Sequence, residues 1–335
     1  MIKIATFNAE NLFARFKFKG KKHRVAKPGG GYRYEYKPYT AEELLGISKD
    51  GWQIDKTFFE VNKKAQRVLT AKAIAATDAD IMCLQEVENL DVLRRFKWDF
   101  LNPELKSQHK DPYRYEMLVD GNDMRLIDIA VLSRFPFDHI RSHQWMKLDN
   151  VRFSRDCLEV GFMLQGEPLT FFINHFKSMI GGRAVTMQKR EKQTTMVTQI
   201  IEERFSDPSN ANFVVCGDFN DHRDYDPQGR GLPSRGLAPL VEKPYLVDVV
   251  YERLPLDQRW THHYCEKDEY TQLDYILLSR KLADANPSQT PKIVREGLAK
   301  RTSRYTGHRF DEIEESDDAN LKASDHCPVA FEMTV

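Results

Sequence analysis

Short apolar runs rich in β-branched and aromatic residues recur along the chain, with polar and turn-forming residues between them. Each run is about as long as a strand and is bounded by Gly, Asn, Asp or Pro. The runs include Ile2–Phe7, Ile81–Leu84, Ile127–Leu132, Leu158–Leu164, Leu169–Ile173, Phe213–Cys216, Leu273–Leu278 and Pro328–Met333. The pattern therefore predicts at least eight strands.

Two segments have a different pattern, in which apolar residues repeat at intervals of three and four. They contain Val61, Ala65, Val68, Leu69 and Ala73 in the first case, and Met196, Val197, Ile200, Ile201 and Phe205 in the second. Many strands with few helices favour an α+β fold in which packed sheets are flanked by helices. No internal repeat or linker divides the chain, so we expect a single domain over residues 1–335, with inserts at about 14–60 and 284–322.

Two charged segments interrupt the apolar pattern. Residues 15–37 contain nine Lys or Arg and one Glu, and five aromatic residues are interleaved with them: Phe16, Phe18, Tyr32, Tyr34 and Tyr36. Residues 311–318 contain six acids. We interpret both segments as loops inserted between core elements.

Composition narrows the class of protein. The 335 residues are 41% hydrophobic and 30% charged, which argues against a disordered chain. Fifty basic residues balance fifty acidic ones, so the overall charge gives no evidence for a nucleic-acid partner. No apolar run approaches the roughly 18 residues of a membrane helix, and no signal-peptide pattern is present. We therefore expect a cytoplasmic monomer without a membrane partner.

The five cysteines do not indicate a disulfide framework or a zinc site, because their number is odd and no CxxC pair occurs. Four of them, Cys83, Cys157, Cys216 and Cys327, lie in or beside apolar runs. A free cysteine in such a run usually acts as a small buried hydrophobic residue.

Polar residues fall repeatedly at the ends of the predicted strands. These residues are Asn8, Gln85 and Glu86, Asn174 and His175, Asp218 and Asn220, Asp274, and the segment Ser324, Asp325 and His326. Their side chains would cluster at one rim of the packed sheets. Carboxylate and amide oxygens without paired cysteines fit Mg²⁺ or Mn²⁺. A divalent cation beside His and Asp can hydrolyse a phosphate ester.

At these positions the chain resembles the endonuclease/exonuclease/phosphatase superfamily, whose members include deoxyribonucleases and inositol phosphatases. Eight segments carry the resemblance, in family order: ATFNAENLF, CLQEVEN, IAVLSRFP, FSRDCLEV, NHFKS, VCGDFND, QLDYILLS and SDHCPV. The resemblance implies a four-layer α/β-sandwich of two mainly antiparallel sheets, with the active site at one end.

The resemblance also implies roles for individual residues. Asn8 and Glu86 would lie beside the metal, with Glu86 as the principal ligand, and Asp325 would complete the metal environment or hold the site together. His326 would act as the general base or contact the phosphate, and Asp274 would orient it.

Four further roles follow from the resemblance. Asp218 would position or activate the attacking water, Asn220 would donate a hydrogen bond to the phosphate, and His175 would stabilise developing charge. Arg155 would point towards the substrate backbone. We expect Asn11 and Lys177 to bind substrate as well.

Several residues have structural interpretations too. His175 alone could be an interior histidine, Glu86 could cap a helix that begins near Asn89, and Asp274 could pair with a lysine. We interpret Asp221, Asp224 and Asp226 as a solvated loop and place Arg190 on the exposed face of its helix. His262 and His263 suggest a second metal, but paired histidines in a polar run are usually solvated.

The resemblance leaves the substrate open. FSRDCLEV and GDFND are closer to the deoxyribonuclease branch, and the segment GGRAVTMQKREKQ is similar to bacterial nuclease-like members. Cations of the basic insert could follow phosphates while its aromatic residues stack on bases. We therefore expect a nuclease that acts on DNA. The alternatives are a phosphatase or phosphodiesterase on a small-molecule, inositol or lipid phosphate ester, and a nucleic-acid-binding module with a degenerate site.

Overall fold

The computed structural model describes residues 1–12, 64–223 and 235–335 with their side chains. Between residues 13 and 63 it describes the backbone of six short strands. The chain forms two compact units, one of Met1–Leu12 with Ala65–Val335 and the other of Phe13–Lys64. The predicted insert at about 14–60 falls within the second unit, and the assignment of the whole chain to one domain stays a prediction.

The larger unit contains two six-stranded sheets. The first sheet has the spatial order Lys292–Ile293, Val329–Met333, Ile2–Leu12, Ile81–Val87, Asp128–Ser133 and Tyr115–Val119. The second has the order His139–Ser142, Cys157–Leu164, Glu167–His175, Phe213–Asp218, Asp274–Ser279 and Leu246–Asp248.

Each sheet has one parallel pair at its centre, and its other four pairings are antiparallel. In the first sheet Ile2–Leu12 runs parallel to Ile81–Val87, with Thr6 opposite Cys83. In the second sheet Glu167–His175 runs parallel to Phe213–Asp218, with His175 opposite Asp218. The sheets are therefore mainly antiparallel, as predicted.

The main core lies between the two sheets. Alternate residues of the central strands face it, because successive side chains of a strand point to opposite faces. These residues include Ile4, Ile81, Cys83, Val131 and Phe331 from the first sheet, and Val160, Phe171, Ile173, Val214 and Ile276 from the second. All are buried, and so are four of the five cysteines, as predicted.

Helices cover the outer face of each sheet. The helix Lys64–Thr77 packs Leu69 and Ile74 near Phe7 of the first sheet. The helix Arg183–Arg204 packs Met196 and Val197 near Phe213 of the second. Helix, sheet, sheet and helix form the predicted four-layer α/β-sandwich.

Shorter elements complete the larger unit. Its other helices are Leu90–Phe96, a π-helix at Lys97–Leu101, Asn102–Ser107, Ala238–Val241, Val249–Arg253, Arg280–Ala285 and Asp311–Glu314, with 3₁₀ turns at Pro208–Asn210 and Leu256–Gln258. Two small ribbons pair Lys147–Leu148 with Val151–Arg152 and His262–Tyr264 with Glu269–Thr271. Among the described residues, no helix has both the length and the apolar composition that crossing a membrane requires.

The unit Phe13–Lys64 contains three antiparallel strand pairs. They join Phe16–Phe18 to Phe59–Val61, Lys21–Ala26 to Tyr32–Lys37, and Ile47–Ser48 to Gly51–Trp52. Most of the basic insert therefore has strand backbone, where we had predicted a loop. The acidic segment also begins as a short helix, in which Ile313 is buried.

Candidate active site

The strand topology brings the predicted polar residues to one edge of the sandwich. The parallel central strands of each sheet end there, which places Asn8, Glu86, His175 and Asp218 at that edge. Their antiparallel neighbours run the other way and begin there. Asp274 therefore starts its strand opposite Asp218, and His326 lies just before Val329–Met333.

Asp218 is the centre of this cluster. Its Oδ2 atom accepts hydrogen bonds from Asn8 Nδ2 at 3.0 Å and from Asn220 Nδ2 at 2.8 Å, and its Oδ1 accepts one from the Asn220 backbone N–H. Oδ2 also lies 3.4 Å from His175 Nε2 and 3.9 Å from His326 Nε2. One buried carboxylate therefore contacts four of the predicted site residues.

His326 is paired with Asp274. Its Nδ1 lies 2.9 Å from Asp274 Oδ2, and that oxygen also accepts a 2.7 Å hydrogen bond from Thr261 Oγ1. A carboxylate in this position fixes the orientation and tautomer of the imidazole, so that Nε2 faces Asp218. The alternative in which Asp274 merely pairs with a lysine is wrong.

Asp218 and His326 shift each other's pKa values, and burial acts on both. Burial raises the pKa of Asp218 to about 7, against the opposing effect of the His326 charge. Burial would lower the pKa of His326, but the charges of Asp274 and Asp218 outweigh it and hold that pKa well above its ordinary value. The electrostatic result is a buried imidazolium held by the Asp274 carboxylate, next to an Asp218 carboxyl group that titrates near neutral pH.

Asn8 and Glu86 occupy the first sheet's part of the edge. Asn8 Oδ1 accepts from the Glu10 backbone N–H, and Glu86 Oε2 accepts from the Asn11 backbone N–H. Glu86 has a left-handed backbone with φ of 64°, which a non-glycine residue adopts rarely. The pairing with Ile2–Leu12 shifts register between Asn8 and Leu12. Such irregularities re-aim side chains at the end of a sheet.

His175 lies between Glu86 and Asp218. Its Nε2 is 3.9 Å from Glu86 Oε1, and among the described residues its buried Nδ1 has no hydrogen-bond partner. Burial is the main cause that lowers the pKa of His175 well below its usual value, and the charges of Arg155, His326 and Arg125 add to it. His175 is therefore neutral in the structure at pH 7. The interpretation of His175 as an interior histidine with all its hydrogen bonds made does not fit that Nδ1 atom.

Asp325 lies in a second group of charged residues. Its Oδ2 is 3.8 Å from Lys322 Nζ and 3.9 Å from His262 Nε2. Glu10 joins the group, because its Oε2 accepts from the Asp325 backbone N–H and its Oε1 lies 2.8 Å from Lys322 Nζ. Burial, with the charge of Asp325, raises the pKa of Glu10 to about 7.

The predicted substrate-binding residues lie around this cluster in different environments. Arg155 is buried, and its Nη1 donates to the Phe176 carbonyl oxygen at 2.8 Å. Asn11 is exposed. Lys177 is partly buried, and its Nζ donates to the Ser178 carbonyl and hydroxyl oxygens.

Comparison with known proteins now identifies the family. The model of the "Endonuclease/Exonuclease/phosphatase family" matches residues 3–334. The chain belongs to this family. Its members include nucleases and other phosphodiesterases, and the predicted superfamily is confirmed.

Solved structures show the same fold at low sequence identity. A family protein from Leptotrichia buccalis C-1013-b has a TM-score of 0.54 at 14% identity, covering 100% of both chains. The human Nocturnin catalytic domain with bound sulfate anion has a TM-score of 0.53 at 14% identity, covering 99% of this chain and 94% of that one. D. rerio TDP2 complexed with single strand DNA product has a TM-score of 0.50 at 18% identity, covering 81% and 92%. No curated protein matches the sequence.

Membership of the endonuclease/exonuclease/phosphatase family implies a divalent metal, and the donor set fits Mg²⁺ or Mn²⁺. Within the described residues, Glu86 Oε1 accepts no hydrogen bond, and its side chain is partly exposed. Two groups of His and Asp residues could each hold a metal ion, because within each group the ligand atoms all lie within 4.8 Å of one another. The first group is His262, Asp325 and His326, and the second is Asp218, Asp274 and His326. Glu86 and Asn8 offer further hard oxygen donors, next to His175 and Asp218 respectively.

Two interpretations from the sequence are wrong at Arg190 and Asp221. Arg190 is fully buried, and its Nε lies 2.8 Å from Asp221 Oδ2, which is buried as well. Arg190 also donates to the Lys177 carbonyl oxygen, so it joins the loop after His175 to the loop after Asp218. No local pattern showed this pairing, because the two residues lie 31 positions apart. Asp224 and Asp226 lie outside the described residues.

The solvated interpretation of the paired histidines is also wrong. The His262 ring packs against the His326 ring with centroids 4.6 Å apart, and burial is the main cause that lowers its pKa to about 3. His263 is buried and contacts Asp268 and Thr302. Glu86 is likewise not the helix cap, since Asn89 accepts from the Val92 backbone N–H. The sequence segment THHY gave no sign that only His262 would reach the site.

Proposed function

We propose that this protein is a Mg²⁺- or Mn²⁺-dependent phosphodiesterase that hydrolyses phosphodiester bonds of nucleic acid, with DNA as its substrate. The observation that carries the proposal is the position of Asp218, 3.4 Å from His175 Nε2 and 3.9 Å from His326 Nε2. Asp274 fixes His326 from behind. An acid, two histidines and two amides converge on one partly open edge, as phosphoester hydrolysis requires.

The chain's own residues would divide the chemistry. Asp218 would orient the attacking water and accept its proton. His326 would contact a phosphoryl oxygen or exchange a proton with it, in an orientation that Asp274 sets. His175 and Asn220 would donate to the oxygens on which charge develops. A metal held by Glu86, with Asn8 and Asp325 beside it, would neutralise phosphoryl charge.

Three considerations support nucleic acid as the substrate. One structural relative, D. rerio TDP2, is complexed with single strand DNA product. The FSRDCLEV and GDFND segments resemble the deoxyribonuclease branch of the family. The charge of Arg155 also helps to lower the pKa of Lys177 and of Lys189, although burial is the larger cause at each lysine, so the three cations lie near one another. A concentration of positive charge beside the site suits a polyanion. The proposal includes the expected monomeric state and cytoplasmic location.

Cleavage of supercoiled plasmid in the presence of Mg²⁺ or Mn²⁺ tests the proposal. The wild-type protein should nick the plasmid, EDTA should abolish nicking, and His326→Ala should lower the rate by about 10²-fold or more. His109→Ala is the matched control, because His109 is an exposed histidine outside the cluster.

The outcomes separate the candidate functions. Nicking by wild type and His109→Ala but not by His326→Ala supports a nuclease that uses this site. Equal nicking by all three proteins would show that the activity belongs to a contaminant. A wild-type protein that hydrolyses inositol or phospholipid phosphate esters but leaves plasmid intact would replace the nuclease proposal with the small-molecule alternative.

A further inference from the structure

Arg125 is held in a fixed orientation at the rim of the site. Its Nε and Nη2 atoms donate to the two carboxylate oxygens of Asp123, each at 3.0 Å. The Arg125 side chain is 59% exposed. A bidentate pair of this kind fixes the plane of the guanidinium group. Arg125 therefore presents an oriented positive charge to solvent.

Asp123 connects Arg125 to the catalytic cluster. Its Oδ2 lies 3.1 Å from Nε of the buried Arg155, whose Nη1 donates to the carbonyl oxygen of Phe176, directly after His175. The same carbonyl accepts from Asn220 Nδ2 at 3.3 Å. A continuous series of polar contacts thus runs from Arg125 to the two loops that carry His175 and Asn220.

The loop that carries Arg125 is anchored on both sides. The Asn122 backbone N–H donates to the Arg155 carbonyl oxygen, and its side chain donates to the carbonyl oxygens of Gln144 and Phe153. The Gly121 N–H donates to Asp128 Oδ1 at 2.9 Å. Because the loop is already ordered, it loses little conformational entropy when a ligand binds Arg125.

The charge of Arg125 acts on the site itself. After burial, Arg155 and His326, it adds to the causes that lower the pKa of His175. It contributes in the same direction to the lowered pKa of Lys177, where burial again comes first. The hydrogen bond with Asp123 is the main cause that raises the pKa of Arg125, and the charge of Glu86 adds to it. Together with the contacts through Asp123 and Arg155, these effects place Arg125 on the side of the sandwich where substrate would bind.

We propose that Arg125 binds the phosphate next to the scissile phosphate of a nucleic-acid strand. The scissile group would sit among the buried side chains of His175, Asp218 and His326, whereas Arg125 stands outside them on the exposed rim. A planar guanidinium suits the oxygens of a phosphodiester. This inference rests on the proposed function, and it assigns substrates with a flanking phosphate as the preferred class.

Two substrates test the assignment. A single-stranded oligonucleotide has flanking phosphates, whereas bis(p-nitrophenyl) phosphate has one phosphate alone. Arg125→Met should lower kcat/KM on the oligonucleotide by about tenfold, mainly through KM, and should cost several-fold less on the small diester. Arg125→Lys should recover part of the loss. The slope of log affinity against log salt should fall by about 0.7, the value for one phosphate contact with a single strand.

Arg280→Met is the matched control. Arg280 is 43% exposed, lies close to one acid, Asp284, and follows the end of the strand Asp274–Ser279 farthest from the site. It should behave as wild type. Equal losses on both substrates, or an unchanged KM and salt slope for Arg125→Met, would overturn the Arg125 assignment alone. A wild-type protein that hydrolyses the small diester but not the oligonucleotide would overturn the nuclease proposal and this inference together.

Discussion

Asp274 Oδ2 lies 2.9 Å from His326 Nδ1, although the two residues are 52 positions apart in the sequence. Asp274 begins a strand of the second sheet, and His326 lies just before a strand of the first. The hydrogen bond therefore crosses from one sheet of the sandwich to the other. The imidazole is in the right place only when the two sheets are packed together.

Replacement of Asp274 by Asn tests how much activity depends on the orientation of His326, because His326 itself is still present. The amide retains the size of the carboxylate but removes the charge that favours the observed tautomer. We expect kcat to fall by about 10²-fold or more while KM changes little, because substrate contacts remain. Steady-state kinetics on plasmid or oligonucleotide measure this split.

Asp284→Asn controls for the loss of a carboxylate, since Asp284 is exposed on the helix Arg280–Ala285. Circular dichroism and a thermal melt establish that Asp274→Asn is folded. A folded Asp274→Asn protein with a wild-type kcat would show that Asp274 does not position a catalytic group.

The pH dependence of the reaction should follow the coupled groups at the site. Burial raises the pKa of Asp218 to about 7, so the carboxylate needed to accept a proton forms as the pH rises through that value. The carboxylates around His326 hold its pKa well above the ordinary value, so the imidazolium persists beyond neutral pH. We expect a bell-shaped profile of kcat/KM whose acid limb has an apparent pKa near 7.

Histidine NMR on the metal-free protein gives an independent measurement. The signal that His326→Gln removes should titrate above pH 6.5. The His175 signal should show the neutral imidazole at pH 6.5 and above. A His326 signal that titrates below 6.5 would contradict the electrostatic account. His109→Ala supplies the assignment of an exposed histidine for comparison.

Much of the fold could be predicted because its signal is local. The strand runs, the polar residue at each strand end and the helix periodicity are all visible within about ten residues. The eight predicted strands are present, and the polar ends meet at one edge because the central parallel pair of each sheet ends there and its antiparallel neighbours begin there. The chemical roles of Asn8, Glu86, His175 and the other site residues stay predictions.

Long-range pairings could not be predicted from local patterns. An arginine within a helix is normally exposed, and local periodicity predicts the same for Arg190. Arg190 is buried because it pairs with Asp221, which the local pattern does not reveal. His262 is similar, since its burial depends on the His326 ring 64 positions later. In both cases the residue that covers the polar side chain is distant in the sequence, and at Arg190 that residue, Asp221, also satisfies the buried guanidinium group.

The buried network of Arg190 predicts an order of destabilisation. Asp221 accepts from Arg190 Nε and Arg183 Nε, each at 2.8 Å. Asp221→Ala would leave the fully buried Arg190 without its carboxylate and should cost about 3–5 kcal/mol of unfolding free energy. Arg190→Met should cost less, because Arg183 still neutralises Asp221. Urea unfolding at pH 7 measures both.

Arg183→Met is the third variant of this series. Arg183 is partly exposed, so its loss should cost about 1 kcal/mol or less. An Arg190→Met variant less stable than Asp221→Ala would show that packing of the long side chain, and not its charge, dominates the site.

Gly217 sets the position of the site residues that follow it. It is paired with Asn174 in the parallel strands, one residue before the His175–Asp218 pair. Its φ is 131°, and a Cβ atom there would lie 1.9 Å from the Asn174 carbonyl oxygen. Because that neighbour is backbone, Gly217→Ala must push the two strands apart and should cost more than about 3 kcal/mol.

Gly166→Ala is a matched control, since Gly166 has a φ of 90° with open space around its Cβ position, and it should cost only about 1 kcal/mol. Urea unfolding measures the stability of both variants, and an activity assay run in parallel reports whether the site residues have moved. Similar losses of unfolding free energy in the two variants would mean that backbone conformation alone requires Gly217. A fully active Gly217→Ala protein would show that His175 and Asp218 tolerate separation of their strands.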